Sequence, residues 1–137
     1  MRILRQTTLC GTLLALAFAG VTVWAQTQQK TPSQFYMDYR AAVDKAGTLE
    51  EILPYLSTEI RQPMETIPAA QRPRMLQAFK AMRGSVTNFK VVKEIPTGNG
   101  ATLNVEGLNP EQKKTMGTIQ IVKEQGQWKI GKEDWPA

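Results

Sequence analysis

The chain has 137 residues, 42% of them hydrophobic and 21% charged, with 17 Lys and Arg against 12 Asp and Glu. Those proportions suit one globular domain and argue against wholesale disorder. The sequence holds no histidine and a single cysteine, Cys10. It therefore excludes Ser–His–Asp and Cys–His nucleophiles, imidazole metal sites, intrachain disulfides and Cys-x-x-Cys motifs.

Arg2 and Arg5 make a positive start, and Leu9 to Val23 is uncharged and mostly apolar. Val23-Trp24-Ala25 places small residues at −3 and −1 before Gln26, so residues 1–25 read as a secretory signal peptide. Ala17-Phe18-Ala19 offers a second cleavage site, before Gly20. The competing reading is an uncleaved anchor, since no charge occurs from Gln6 to Gln29 and a membrane helix needs about 20 apolar residues. Gln6, Thr7, Thr8, Thr12 and Thr22 dilute that stretch. Cys10 lies too early for lipoprotein processing and reads as a small apolar residue of the signal. Cleavage before Gln26 lowers the net charge from +5 to +3. It yields an exported protein, periplasmic or secreted, with no stable membrane span.

Gln26 to Lys30 is polar and aperiodic, so residues 26–31 form a flexible lead to a single domain over 32–137. Thr31, Pro32 and Gln34 spell a capping box with proline at the first helical position. Phe35, Tyr39, Ala42, Val43 and Ala46 follow on one helical face, and Gly47 is placed to close it. Thr48-Leu49-Glu50-Glu51 is a second helix start, with Leu49, Ile52, Leu53 and Leu56 as its stripe and Pro54 as its bend or end. Ser57 caps a short turn through Ile60, and Pro63, Pro68 and Pro73 interrupt helix beyond it. From Pro73 a further helix carries Met75, Leu76, Phe79 and Met82 inward and stops at Gly84. Strands come next. Phe89, Val91 and Ile95 alternate with polar residues, and residues 96–100 turn the chain. Leu103 and Val105 mark a second strand, Asn109-Pro110-Glu111 a loop, Ile119 and Ile121 a third strand. A tight turn at Gln125-Gly126 leads to a last strand with Trp128 and Ile130. Helices first and an antiparallel meander afterwards make the class α+β.

Catalytic candidates are few. Tyr39 faces inward, yet Glu94, Glu106 and Glu124 fall on the polar phase of their strands, Asp38 only flanks the helix face, and Glu133-Asp134 reads as a surface pair. Glu50 and Glu51 point about 100° apart, which suits the helix dipole better than bracketing one bond. Gly98-Asn99-Gly100 is a hairpin turn rather than a phosphate cradle. Without histidine or an Asp-x-Asp-x-Asp-Gly loop, neither a metal site nor a cofactor is expected. Basic residues are spread evenly and interleave with glutamates, which gives no nucleic-acid groove. The remaining signal is apolar: Phe35, Tyr39, Met75, Phe79, Met82, Phe89 and Trp128, each a core residue first by its spacing.

Three stretches resemble the nuclear transport factor 2-like superfamily (the cystatin-like α+β cone), in its small exported bacterial versions. Residues 35–42 are similar to its long first helix, and residues 48–56 to its second. The closing hairpin, residues 119–130, ends on a Gly-x-Trp-Lys-Ile strand of that kind. The resemblance implies helices covering a curved four-stranded antiparallel sheet, with a cavity at the wide end of a cone. Phe35, Tyr39, Phe79, Phe89 and Trp128 would line that cavity, and no catalytic residue is carried over. Homodimerisation through the sheet face is common in the family. The expected function is an exported, non-enzymatic domain that holds a small apolar ligand or an envelope partner. The alternatives are a cofactor-independent isomerase or dehydratase using pocket tyrosine and carboxylate groups, and a purely structural protein-interaction module. Fold alone does not choose among them.

Overall fold

Thr31 starts the first helix through both halves of its capping box. In the computed structural model, which describes residues 29–136, the Thr31 hydroxyl accepts from the Gln34 backbone N–H at 3.2 Å. The Gln34 side chain in turn accepts from the Thr31 N–H at 3.0 Å. Helix α1 (Pro32–Lys45) buries Tyr36, Tyr39 and Val43, and its end at Ala46 uses no left-handed glycine, so Gly47 does not close it in that way. The signal reading of residues 1–25, Cys10 included, and the lead over 26–28 lie outside the described residues.

The second capping box does not yield an α-helix. Two 3₁₀ turns, Leu49–Glu51 and Leu53–Tyr55, stand there instead. Pro54 has no N–H to give an α-helical ladder, and its ring crowds the preceding turn. Leu49, Ile52 and Leu56 are still buried. Leu56 bridges Ile130 in parallel fashion, and the Ser57 N–H donates to the Ile130 carbonyl at 2.9 Å. This short segment covers the outer edge of the last strand, removing one exposed edge.

Helix α2 (Thr58–Glu65) carries Pro63 and receives no side-chain cap from Ser57. Its cap comes from the sheet: the Glu124 carboxylate accepts from the Thr58 N–H at 2.9 Å and the Thr58 hydroxyl at 2.8 Å. Helix α3 (Arg72–Gly84) buries Leu76 and Arg83. Met75 and Phe79 pack beside them. Met82, expected inward, is 50% exposed. The helical spacing from Leu76 and Phe79 reaches Arg83 one residue later, and the guanidinium takes the inner place.

Four antiparallel strands follow in the order β1-β2-β3-β4: β1 (Thr87–Thr97), β2 (Gly100–Leu108), β3 (Lys114–Glu124) and β4 (Gln127–Asp134). Leu103, Val105, Ile119, Ile121 and Ile130 make the inner face, on which Tyr36, Tyr39 and Val43 pack, so the architecture is α+β with helices on one face of the sheet. Gln125 and Gly126 both have positive φ (50° and 77°), the conformation of a two-residue I′ hairpin turn. Three bulges interrupt the ladders: one falls between Thr87 and Lys90, and the other two decide which strand carboxylates turn inward. In β1 an extra residue, Val92, lies between the pairs Val91–Val105 and Lys93–Asn104. In β4 the extra residue is Gly131, between Ile121–Ile130 and Gln120–Lys132. Each bulge bends its strand and exchanges the inner and outer sets beyond it. Among the described residues, no helix is long and apolar enough to cross a membrane.

Candidate functional site

The N-terminus of α1, the second 3₁₀ turn and the β3–β4 hairpin meet around an open groove of about 520 Å³ lined by Phe35, Pro54, Tyr55 and Trp128, with Lys30 and Lys129 at its rim. The hairpin turn positions Trp128, whose indole N–H donates to the Lys30 carbonyl at 2.7 Å. The Lys123 ammonium lies over the Trp128 ring, 4.5 Å from its centroid, a cation–π contact that helps hold the ring in place. The Gln29 side-chain amide donates to the Gly126 carbonyl at 3.1 Å, tying the incoming chain to the same turn. Lys30 pairs with Asp38 at 2.5 Å, so the rim keeps both charges but leans positive through Lys129.

Behind the groove runs a continuous series of rings. Phe35 meets Tyr55 at 6.0 Å, Tyr55 meets Tyr39 at 5.9 Å, and Tyr39 meets Tyr36 at 5.9 Å. Tyr36 then meets Phe89 at 5.4 Å, and Phe89 meets Trp135 edge-on at 6.1 Å. The separations are those of favourable tilted and edge-to-face aromatic pairs. Of the expected pocket residues, Phe35 and Trp128 come together in the groove, with Tyr55 as a third ring that the sequence did not single out. Tyr39 is one ring behind them and only 1% exposed. Phe89 lines a separate apolar groove of about 440 Å³ with Met37 and Val91. Phe79 packs on the core from α3, outside the ring series.

A second cluster was not legible in the strand pattern. Glu133 pairs with buried Ile119 across β3–β4 and so turns inward. Its carboxyl faces Tyr36, Arg83 and Arg40, and burial pushes its pKa above the usual carboxylate range. The surface-pair expectation holds only for Asp134, which is exposed and meets Lys132 at 3.2 Å. Tyr36 and Tyr39 are pushed well above the usual tyrosine range, by burial first and the Glu133 charge second. Arg83 is 6% exposed and donates from Nη2 to Asp44 at 3.2 Å. The Arg40 guanidinium stacks over Phe89, 4.0 Å from its centroid.

The strand carboxylates divide by the same geometry. Glu94 pairs with Leu103 beyond the β1 bulge, so the outward phase expected for it fails. Its carboxylate accepts from the Ser33 N–H at 3.0 Å and from the Ser33 hydroxyl, closing the start of α1. Ile95 consequently faces out, at 37% exposure. Glu106 does lie on the outer phase, held below the usual range by Lys114 and Lys90. Compared with protein families, curated proteins and solved structures, the chain matches none of them.

Proposed function

We propose that this chain is a non-enzymatic binding domain of an exported protein, with the Phe35–Tyr55–Trp128 groove as its ligand site. The observation that carries this reading is the groove itself: three aromatic rings around about 520 Å³. Small-molecule sites are concave, mostly apolar and largely preformed. Trp128 meets that requirement, since its edge is hydrogen-bonded to Lys30 and its face is covered by Lys123. The ligand that suits these walls has a flat apolar body, with Lys129 favouring an anionic edge. The resemblance to the nuclear transport factor 2-like superfamily points the same way, since members of that superfamily bind small molecules between helices and sheet.

The isomerase-type alternative gains one observation, the Glu133 carboxyl turned inward beside Tyr36. A raised carboxyl beside a tyrosine is the pairing that acid–base chemistry uses. Against it, Tyr36 is 0% exposed, and a catalytic group must reach substrate. Binding in the groove is therefore the preferred reading.

The test is titration with 8-anilinonaphthalene-1-sulfonate, an apolar dye with one sulfonate. Saturable binding is expected, weaker in high salt because the rim charges are screened. Trp128→Ala should weaken it about tenfold, the scale of a central aromatic anchor. Unchanged dye affinity in a Trp128→Ala protein that keeps its far-UV circular dichroism would sink the groove as the site.

A further inference from the structure

A second cleft of about 520 Å³ opens where the α3–β1 connection, the β2–β3 loop and the end of β4 converge. Val86, Pro110 and Trp135 supply its apolar wall, and Asn109, Glu111 and Lys113 its polar groups. It shares no lining residue with the Trp128 groove. The apolar wall is built into the sheet. Gly107 of β2 and Gly117 of β3 are buried on the inner face, in phase with Val105 and Ile119. A Cβ on Gly107 would run into Val86, and one on Gly117 would lie 2.7 Å from the Trp135 ring. Each apolar group thus takes the space that a strand side chain would fill. Phe89 meets the half-buried indole edge-on at 6.1 Å. The ring is therefore a preformed wall, which a ligand need not order.

Asn109 fixes the polar wall. Its Oδ1 accepts from the Glu111 N–H at 3.0 Å and the Lys113 N–H at 2.9 Å. With the oxygen so engaged, the planar amide is held in place and its Nδ2 donors are left for a ligand. The charges of the cleft cancel. Glu111 and Lys113 pair with each other at 2.7 Å, and Lys114, the remaining ionic residue of the lining, pairs with Glu106 at 2.6 Å. An anion would meet Glu111 and a cation would meet Lys113, so neither sign is favoured. A neutral ligand with hydroxyl groups suits both. Lys113 donates to it and Glu111 accepts from it, in charge-assisted hydrogen bonds.

A flat indole beside such donors and acceptors selects a ring that is apolar on one face and hydroxylated at its edge. A pyranose has that form. Its C–H groups lie against the negative face of an aromatic ring, and its equatorial hydroxyls point outward to polar neighbours. A purely apolar ligand would cover the polar wall without pairing it, at a cost in desolvation.

We propose that this cleft is a binding site for a neutral saccharide, with Trp135 as its stacking platform. It is separate from the groove at Trp128 and does not depend on it. The test uses the full chain, labelled with nitrogen-15, and the disaccharides cellobiose, lactose and chitobiose as probes. At least one should move the Trp135 indole resonance and the amides of residues 109–113 saturably. The expected Kd is about 1 mM, as an open site with a single aromatic platform gives. High salt should leave it unchanged, since no net charge is engaged. Trp135→Phe should retain binding, Trp135→Leu should abolish it, and Trp128→Phe should bind as the wild type does. Lys113→Ala changes a side chain that is 74% exposed, so the fold is kept. It should weaken binding about fivefold, the loss of one hydrogen bond from a charged donor. The site is overturned if none of the three sugars moves these resonances, or if Trp135→Leu or Lys113→Ala binds as tightly as wild type. Binding of sodium glucuronate in their place, displaced by salt, overturns it too.

Discussion

Glu133 is the residue whose ionisation is most at odds with its surroundings. Tyr36 and Tyr39 on α1, Arg40 on α1 and Arg83 on α3 all face it, and burial outweighs their help in raising its pKa. In the unfolded chain a glutamate titrates near pH 4.3, approximately its model-peptide value. Between that value and the raised folded value, the unfolded state releases a proton that the native state keeps. Stability from this group is therefore complete below the unfolded pKa and falls as pH rises through the window. Glu133→Gln should remove that dependence. Denaturant midpoints measured from pH 4 to pH 8 should show the variant gaining on wild type as pH rises. A constant gap across the range would mean that Glu133 titrates alike in the folded and unfolded states, so that burial does not raise its pKa. Glu106 and Glu124 shift the other way, and their contribution fades as pH falls, so only the difference between the two proteins isolates Glu133.

At the scale of elements, strand phase decides what faces inward, and phase is where the sequence pattern ran out. The capping box of α1, the meander order, the Gln125-Gly126 turn and the inner residues Leu103, Val105, Ile119, Ile121 and Ile130 were all legible, because caps and period-2 alternation are local. Continuing β4 by twos from Trp128 and Ile130 places Lys132 and Asp134 inward; the extra residue Gly131 places Glu133 and Trp135 there instead. Val92 does the same to Glu94 and Ile95. A glycine in a strand hints at a bulge, but Val92 carries no such mark. Arg83 was missed because a charge in the last turn of a helix normally complements the dipole, and Met82 was the apolar neighbour. The α2 cap was hidden for another reason. Its acceptor, Glu124, comes from a strand 66 residues away. Thr58 lowers that carboxylate below its usual range, through its backbone N–H first and its hydroxyl second. Glu124→Ala should destabilise the protein by about 1 kcal/mol, the usual loss for a helix N-cap. Amide exchange over residues 58–61 should quicken more than exchange in α1. Because the pKa is depressed, the loss relative to wild type should shrink as pH falls through the folded value. An effect independent of pH would assign Glu124 to packing rather than capping.

Across the whole molecule, α1 presents two chemically different faces. Phe35 meets the groove, where Trp128 sits on a lysine-edged surface. Tyr36, Arg40 and Asp44 follow one another along a second face and meet Glu133, Phe89 and Arg83 in turn. The ring series from Phe35 to Trp135 joins the two faces, but contact alone does not couple them; that requires an element with two discrete states. The two tryptophans report separately on the groove and on the far end of the ring series. Indole resonances assigned with Trp128→Phe and Trp135→Phe variants should show the dye moving the Trp128 signal and leaving the Trp135 signal in place. The response should vanish in Trp128→Phe and survive in Trp135→Phe. If the dye moves both signals in the wild-type chain, the ring series carries the change from the groove across α1 to the far strand.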